Sequence, residues 1–389
     1  MSAGVVVAAT DRDGKPRSDR AGAIIAAALA LPGVLAHADS APENGVLALK
    51  YLGYQDAQPG LDRISVKAPS IYVLAPLSPQ WAIDGSLVSD SVSGATPRYH
   101  TAISGATPRM SDERIAGTVQ LTRYFERSNV SVGLASSNEN DYNSKAGSIN
   151  ANFSSDDNNR TWNFGIGYAS DKIGSTNDPT LHETRRTAEL LVGVTQAWTA
   201  NDLLQLNLTL ARGRGFFSDP YKEVDNRPRE RDQTIVLARW NHFAESSGGA
   251  LRTAYRYYHD SFGINAHTVG AEWVQPLGRF AVTPSLRYYT QNAASFYFDP
   301  IYDPDVGAPY PPGYFTHPPQ YSSADQRLAA FGAVTLGLAG AYNLSADWLV
   351  GAKLEVYEQR TGWRLGGEGS IGLDPLRATW FQLGLEKRF

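Results

Sequence analysis

Apolar and polar residues alternate along most of this chain. In "LLQLNLTLARG", Leu204, Leu206, Leu208 and Leu210 share one face, while Gln205, Asn207 and Thr209 share the other. "RRTAELLVGVTQAW" sets Ala188, Leu190, Val192, Val194 and Trp198 against Thr187, Glu189 and Thr195. "GRFAVTPSLRYYTQ" sets Phe280, Val282, Leu286 and Tyr288 against Thr283, Ser285, Arg287 and Gln291. Period two with one apolar face is the strand signature. It predicts strands near 46–56, 63–74, 80–91, 113–125, 129–137, 143–154, 161–170, 186–198, 203–213, 232–243, 250–261, 264–275, 279–292, 326–342, 347–359 and 377–389. Each has about the 9–11 residues, or a few more, that a tilted strand needs to cross a bilayer.

The connections fall into two kinds. "FERSN" (125–129), "TAND" (199–202), "ESSGG" (245–249) and "LSAD" (344–347) are short; 92–112, 171–185, 214–231, 293–325 and 360–376 are long. Long and short largely alternate, so one end of the sheet carries tight turns and the other carries loops. Outer-membrane barrels have this asymmetry, with short periplasmic turns and long external loops. A barrel with both termini in the periplasm needs an even strand number, which assigns the Gly-rich segment 360–376 to the last external loop. The expectation is an all-β fold: a transmembrane antiparallel up-and-down barrel of about 16 strands, within a range of 14–18. A soluble sandwich would alternate too, but without the loop asymmetry. A propeller would show a blade repeat, and none is found.

Composition fits this picture. There are 20 Tyr, 14 Phe, 8 Trp and 36 Gly, with only 19% charged residues, as in a sheet with aromatic girdles. The net charge of −4 lacks the basic excess a nucleic-acid binder needs. The absence of cysteine removes disulfides, thiolate metal sites, thiol nucleophiles and a lipoprotein anchor. Near the start, Arg17 and Arg20 precede "AGAIIAAALALPGVLAHA", which ends in Ala36-His37-Ala38. A basic flank, a short apolar core and an A-x-A site predict a signal peptide, 1–38, cleaved after Ala38. The barrel would then occupy 39–389.

In such a barrel the apolar face meets lipid and the polar face lines the lumen. That assigns Glu189, Arg252, Arg256, Arg287, Lys353, Glu355, Glu386 and Arg388 to the lumen. These charges either pair internally or line a pore. Arg252, Arg256 and Arg287 would form a basic ladder for anionic solutes, unless Asp260 or Glu272 neutralises them. On the last strand Phe381, Leu383, Leu385 and Phe389 face out, and Trp380, Gln382, Glu386 and Arg388 face in.

Loop 293–325 is rich in Pro, Tyr and Asp, and Tyr302, Asp303, Asp305, Tyr310 and Tyr314 make it a constriction or a docking surface. Loop 214–231, "GFFSDPYKEVDNRPRERD", is a second candidate. Asp299, Asp303 and Asp305 offer hard oxygen ligands for calcium, although Asp-Pro pairs are also ordinary turn formers. "SGATPR" occurs at 93–98 and again at 104–109, a local duplication in a tolerant loop. No cofactor signature is present, and catalysis is not expected. His259, Asp260 and Ser261 are neighbours on one strand and cannot converge. His242, His267 and His317 lack H-E-x-x-H spacing, and there is no G-x-S-x-G elbow.

The final residues Gln382-x-Gly384-x-x-Lys387-x-Phe389 resemble the terminal-strand signal of outer-membrane barrels, which the barrel assembly machinery recognises. Lys387 departs from it where Tyr is usual. "DSVSGATP", "SDPYKEV", "YRYYHDSFGINAHT" and "LRYYTQNAASFYF" resemble a proteobacterial outer-membrane family classed as a domain of unknown function. The resemblance implies a barrel, a signal peptide and residence in the bacterial outer membrane, among lipid and lipopolysaccharide. Members are often encoded near small periplasmic proteins of thioredoxin-like or flavin-transfer type. Two functions follow as expectations. One is a porin-like channel passing small solutes. The other is a plugged barrel acting through its loops as scaffold or export partner for an envelope redox or maturation system.

Overall fold

A computed structural model describes residues 41–94, 110–222, 224–300, 310, 314 and 316–389. The expected signal peptide and most of the SGATPR duplication lie outside the described residues. The strands are β1 (Val46–Gln58), β2 (Leu61–Ser78), β3 (Trp81–Gly94), β4 (Met110–Phe125), β5 (Ser128–Asn138), β6 (Tyr142–Ser154), β7 (Arg160–Ile173), β8 (Glu183–Ala197) and β9 (Asp202–Gly215). After a two-residue strand β10 (Asp225–Asn226) come β11 (Glu230–Ala244), β12 (Gly249–Asp260), β13 (Asn265–Leu277) and β14 (Phe280–Gln291). A second two-residue strand, β15 (Ser322–Ser323), precedes β16 (Phe331–Asn343), β17 (Trp348–Arg360) and β18 (Leu376–Arg388).

All but β10 and β15 join one closed antiparallel barrel of sixteen strands, sealed where β18 pairs with β1. Closure leaves no edge, so every strand in the wall pairs with a neighbour on both sides, as a lipid environment demands. Segment 361–375 is an external connection and not a seventeenth strand, which keeps the count even. One boundary differs from the alternation pattern. The strand expected from 326 starts at Phe331, because Asp325 caps a 3-10 turn over Gln326–Leu328 by accepting from the Arg327 N–H.

The sheet is inside out relative to a soluble core. Along β7, Trp162, Phe164, Ile166 and Tyr168 are exposed, whereas Thr161, Asn163, Ala169 and Asp171 are buried. The same parity exposes Leu49, Ile71, Leu190, Leu286 and Leu354 on their strands. Aromatic girdles flank the apolar belt. At the end carrying the tight turns, Arg123 stacks on Trp81 and Phe125, and Phe280 meets Tyr342 with ring centroids 4.4 Å apart. Two glycines fit the seam. A Cβ on Gly45 would lie 2.5 Å from the Phe389 ring, and Gly53 is overlaid by Phe381 in the same way.

Candidate functional site

Register fixes which charges share the inner wall. Arg239, Ala254, Gly270 and Arg287 lie in one row across β11, β12, β13 and β14. Arg252 and Arg256 stand two residues to either side of Ala254. Four guanidinium groups thus surround a floor of two small residues, within about three strand spacings of roughly 4.8 Å each. None of the four is fully buried. Arg239 donates to Gln205 at 3.2 Å and Arg256 lies over the Tyr258 ring at 5.4 Å. Among the described residues none of the four forms an ion pair. Glu272 is registered opposite Arg252 but stays outside ion-pair distance. Asp260, the other proposed neutraliser, is taken by Arg231 at 2.8 Å. Eight places round the ring from β12, β3 carries Asp84, which accepts from Gln120 at 3.3 Å.

The other lumen candidates behave differently. Lys353 pairs with Glu355 at 3.1 Å, and Trp380 Nε1 donates to the same carboxylate at 2.5 Å. Arg388 donates to Glu386 at 3.3 Å. Glu189 occupies an inward position on β8 and has no ion pair among the described residues. His259 faces out toward Asn265 while Asp260 faces in, so these neighbours do not converge.

The outer mouth is crossed by two loops tied together. β10 pairs with β15, joining loop 216–229 to loop 292–330. Beside this ribbon Arg227 sits between Asp225 at 2.8 Å and Asp325 at 2.6 Å. Arg327 reaches Asp219 at 2.9 Å and also contacts Asp325, while Lys222 stands 3.7 Å from Asp325. Burial pushes the Asp325 carboxyl up, but Arg327, Lys222 and Arg227 outweigh it and hold the group well below the usual carboxylate range. Asp225 goes the other way: burial raises it more than Arg227 lowers it. On the far side Tyr221 of the same loop bonds Thr176 and Asp141.

Apolar residues pack beneath this latch. Phe217, Phe262, Ile264 and Leu328 form one cluster; Ile64, Ala329, Phe331, Leu373 and Trp380 form another, and Tyr289 and Tyr297 pack against both. The described parts of loop 292–330 therefore pack inward, toward the constriction alternative. It also keeps a cavity of about 530 Å³, lined by Phe296, Phe298, Tyr314, His317 and Tyr321 with Pro228 and Pro319. Tyr314 stacks with Tyr310 at 5.2 Å and shares a hydrogen bond with Ser322 at 2.8 Å. Tyr302, Asp303 and Asp305 lie outside the described residues, so of the proposed calcium ligands only Asp299 is described. Among the described residues no group of three or more His, Asp or Glu is arranged to hold a metal.

Asp219, Asp225, Arg227, Asp325, Arg327 and Arg239 were not singled out by sequence. "SDPYKEVDNRPRE" and "SSADQR" are charge-rich turn sequences, but nothing local says that they meet. At the last strand Gln382 and Gly384 face in and Phe389 faces out, hydrogen-bonded through its backbone to Gly45. Lys387 also faces out, with its ammonium 5.4 Å from the Trp348 ring centre.

A closed barrel with an apolar belt outside and polar walls inside defines an outer-membrane β-barrel protein. Residues 98–376 match the family described as "Protein of unknown function (DUF3570)", and the chain belongs to that family. Among curated proteins, none matches the sequence. Solved structures of similar shape include a bacterial polysaccharide outer membrane secretin, with a TM-score of 0.49 and 10% identity over 88% of this chain and 98% of that one. CdiB from Acinetobacter baumannii gives 0.48 and 9% over 87% of this chain, which spans only 60% of CdiB. OccK1 (OpdK) from Pseudomonas aeruginosa gives 0.45 and 8% over 89% and 98%. At such identities the likeness concerns the fold alone.

Proposed function

We propose that the protein is a porin-like channel, passing small anionic solutes through a polar lumen whose outer mouth is covered by latched loops. The observation that carries this reading is the group Arg239, Arg252, Arg256 and Arg287, which stands on the lumen wall without ion pairs among the described residues. Four like charges over a floor of small residues repel one another, and a passing carboxylate or phosphate relieves that repulsion. Asp84 on the facing strand adds a field across the lumen that favours anions on the arginine side. Channel recordings in planar bilayers test the reading. Discrete events are expected, more frequent when the latch is weakened; silence from both the native and the unlatched protein, over wide voltage and pH ranges, contradicts it.

The aromatic cavity lined by loop 292–330 favours a second reading, in which the barrel is a scaffold or export partner for an envelope redox or maturation system. A photocrosslinker placed at Tyr310 or Tyr314 in cells would then capture a defined periplasmic or surface protein. Recovery of lipopolysaccharide alone counts against it.

A further inference from the structure

The outer wall is not uniform around its circumference. Register places Lys145, Ser170, Arg186 and Arg214 side by side in one row across β6, β7, β8 and β9. Lys172 stands one pleat above this row on β7, and Arg212 one pleat below it on β9. All five basic residues are exposed and share the parity of the lipid-facing side chains. Arg212 and Arg214 lean toward Glu230 and Asp232 at 3.2–3.5 Å, in pairs that are more than half exposed and therefore weak. Lys145, Lys172 and Arg186 form no ion pair among the described residues.

The height of the row matters as much as its charge. Directly below it, toward the membrane centre, stand Ile149, Tyr168, Leu190 and Leu210, between 41% and 50% exposed and facing lipid. The basic residues begin one or two pleats above these, roughly 5–10 Å higher along a tilted strand. All five lie within three residues of the loop ends of β6, β7, β8 and β9, where an outer-membrane barrel meets the outer-leaflet headgroups. Toward the loop end, the outward face of β12 and β13 carries no Lys or Arg: Tyr255 bonds His267 and Tyr257 bonds Asn265. On β17 and β18, Arg360 and Arg377 share Glu358. The β6–β9 sector instead sets five outward cations against two carboxylates, Glu230 and Asp232.

We propose that this sector is a docking site for a phosphorylated glycolipid of the outer leaflet, lipopolysaccharide, held by its phosphates. Arg186 and Arg214 face each other directly on neighbouring strands, a like-charge pair that costs stability unless an anion lies between them. A phosphate group there accepts from both guanidiniums, while Lys145 and Lys172 answer further anionic groups of the same headgroup layer as point charges. The site fixes which side of the barrel meets bound glycolipid, and it does not depend on the channel reading.

The test compares the full-length protein with the triple variant Lys145→Gln, Lys172→Gln, Arg186→Gln, and with a far-wall control, Arg360→Gln, Arg377→Gln. Each is purified from outer membranes in mild detergent. Retained lipopolysaccharide is counted by native mass spectrometry, and heat-modifiable gel mobility confirms folding. The triple variant is expected to retain at least about tenfold less lipopolysaccharide, given the usual gain per basic residue near an anionic surface. The control keeps the native amount, and single Arg186→Gln, a mild surface change, loses an intermediate share. Equal retention in triple and native protein overturns the proposal. So does equal loss in the control, which would mean general charge attraction, or retention of an anionic phospholipid in place of lipopolysaccharide.

Discussion

Inward-facing arginines in this barrel live in two different settings. Near the loop end Arg185 meets Asp171 at 2.9 Å, Arg231 meets Asp260 at 2.8 Å and Arg227 lies between two aspartates, all with little or no access to water. Further down the wall Arg239, Arg252, Arg256 and Arg287 form no ion pair among the described residues, although the Glu272 carboxylate acts on Arg239 from a distance, and they keep contact with the lumen. The same side chain on the same sheet is a tie in one place and a free charge in the other. Removing one partner of a buried pair strands the other and costs about 3–5 kcal/mol. Removing a wet, unpaired arginine costs little and relieves repulsion. The first group belongs to the fold, and the second leaves its charge facing the lumen.

That difference can be broken experimentally, and the largest effect is expected at the latch. Asp325→Ala leaves Arg227, Arg327 and Lys222 without their shared carboxylate, so the loop cover loses on the order of 3–5 kcal/mol. Limited proteolysis of the outer loops should become markedly faster while heat-modifiable mobility persists. An unchanged digestion rate would deny that the cluster holds the cover.

Next in size is the wall itself. Arg252→Gln with Arg256→Gln should leave stability within about 1 kcal/mol, since half-buried charges without an ion pair contribute little. The reversal potential in a salt gradient should move clearly toward cations. Destabilisation with unchanged selectivity would place these arginines with the structural group.

Mild acid gives a smaller effect. The depressed Asp325 contributes stability that is present above the unfolded value of about 4 and lost only as pH falls through its still lower folded value. The raised Asp225 takes up a proton earlier, and its contribution lies on the acid side. Lowering the pH from 7 to about 5 should therefore leave the cover shut, and Asp225→Asn should loosen it less than Asp325→Ala. Opening on that pH step, measured by proteolysis or conductance, would reverse the ranking of the two aspartates.

Least of all should be the change at Lys387, which lies outside both groups and rests on Trp348. Lys387→Tyr should assemble as well as the native protein or better, whereas deleting Phe389 should impair insertion. Poorer assembly of the tyrosine variant would contradict the outward register of the last strand.

Much of the barrel was legible because alternation is a local signal. Leu204, Leu206, Leu208 and Leu210 announce both a strand and its lipid face, and the sixteen wall strands lie within a few residues of the expected ranges. Parity decided segment 360–376 where composition alone left it open. Arg239 was hidden for the opposite reason: Ile235 and Leu237 share its inward face, so β11 lacks a clean polar stripe. Arg227 and Asp325 are 98 positions apart, and no short-range pattern links them. Nor was it legible that Arg252 and Arg287 stand without an ion pair, because that depends on cross-strand register; Lys353 and Glu355, two residues apart on one strand, are by contrast a local pair.

Anion selection by the unpaired arginines beneath a latched cover is open to a direct test. The most direct measurement is the reversal potential of the Asp325→Ala protein in a planar bilayer under a potassium chloride gradient, with and without Arg239, Arg252, Arg256 and Arg287 changed to Gln. Frequent, chloride-selective openings are expected, and they should lose their selectivity in the fourfold variant. A folded, unlatched barrel that stays silent, or one whose selectivity is the same with and without these arginines, would contradict this expectation.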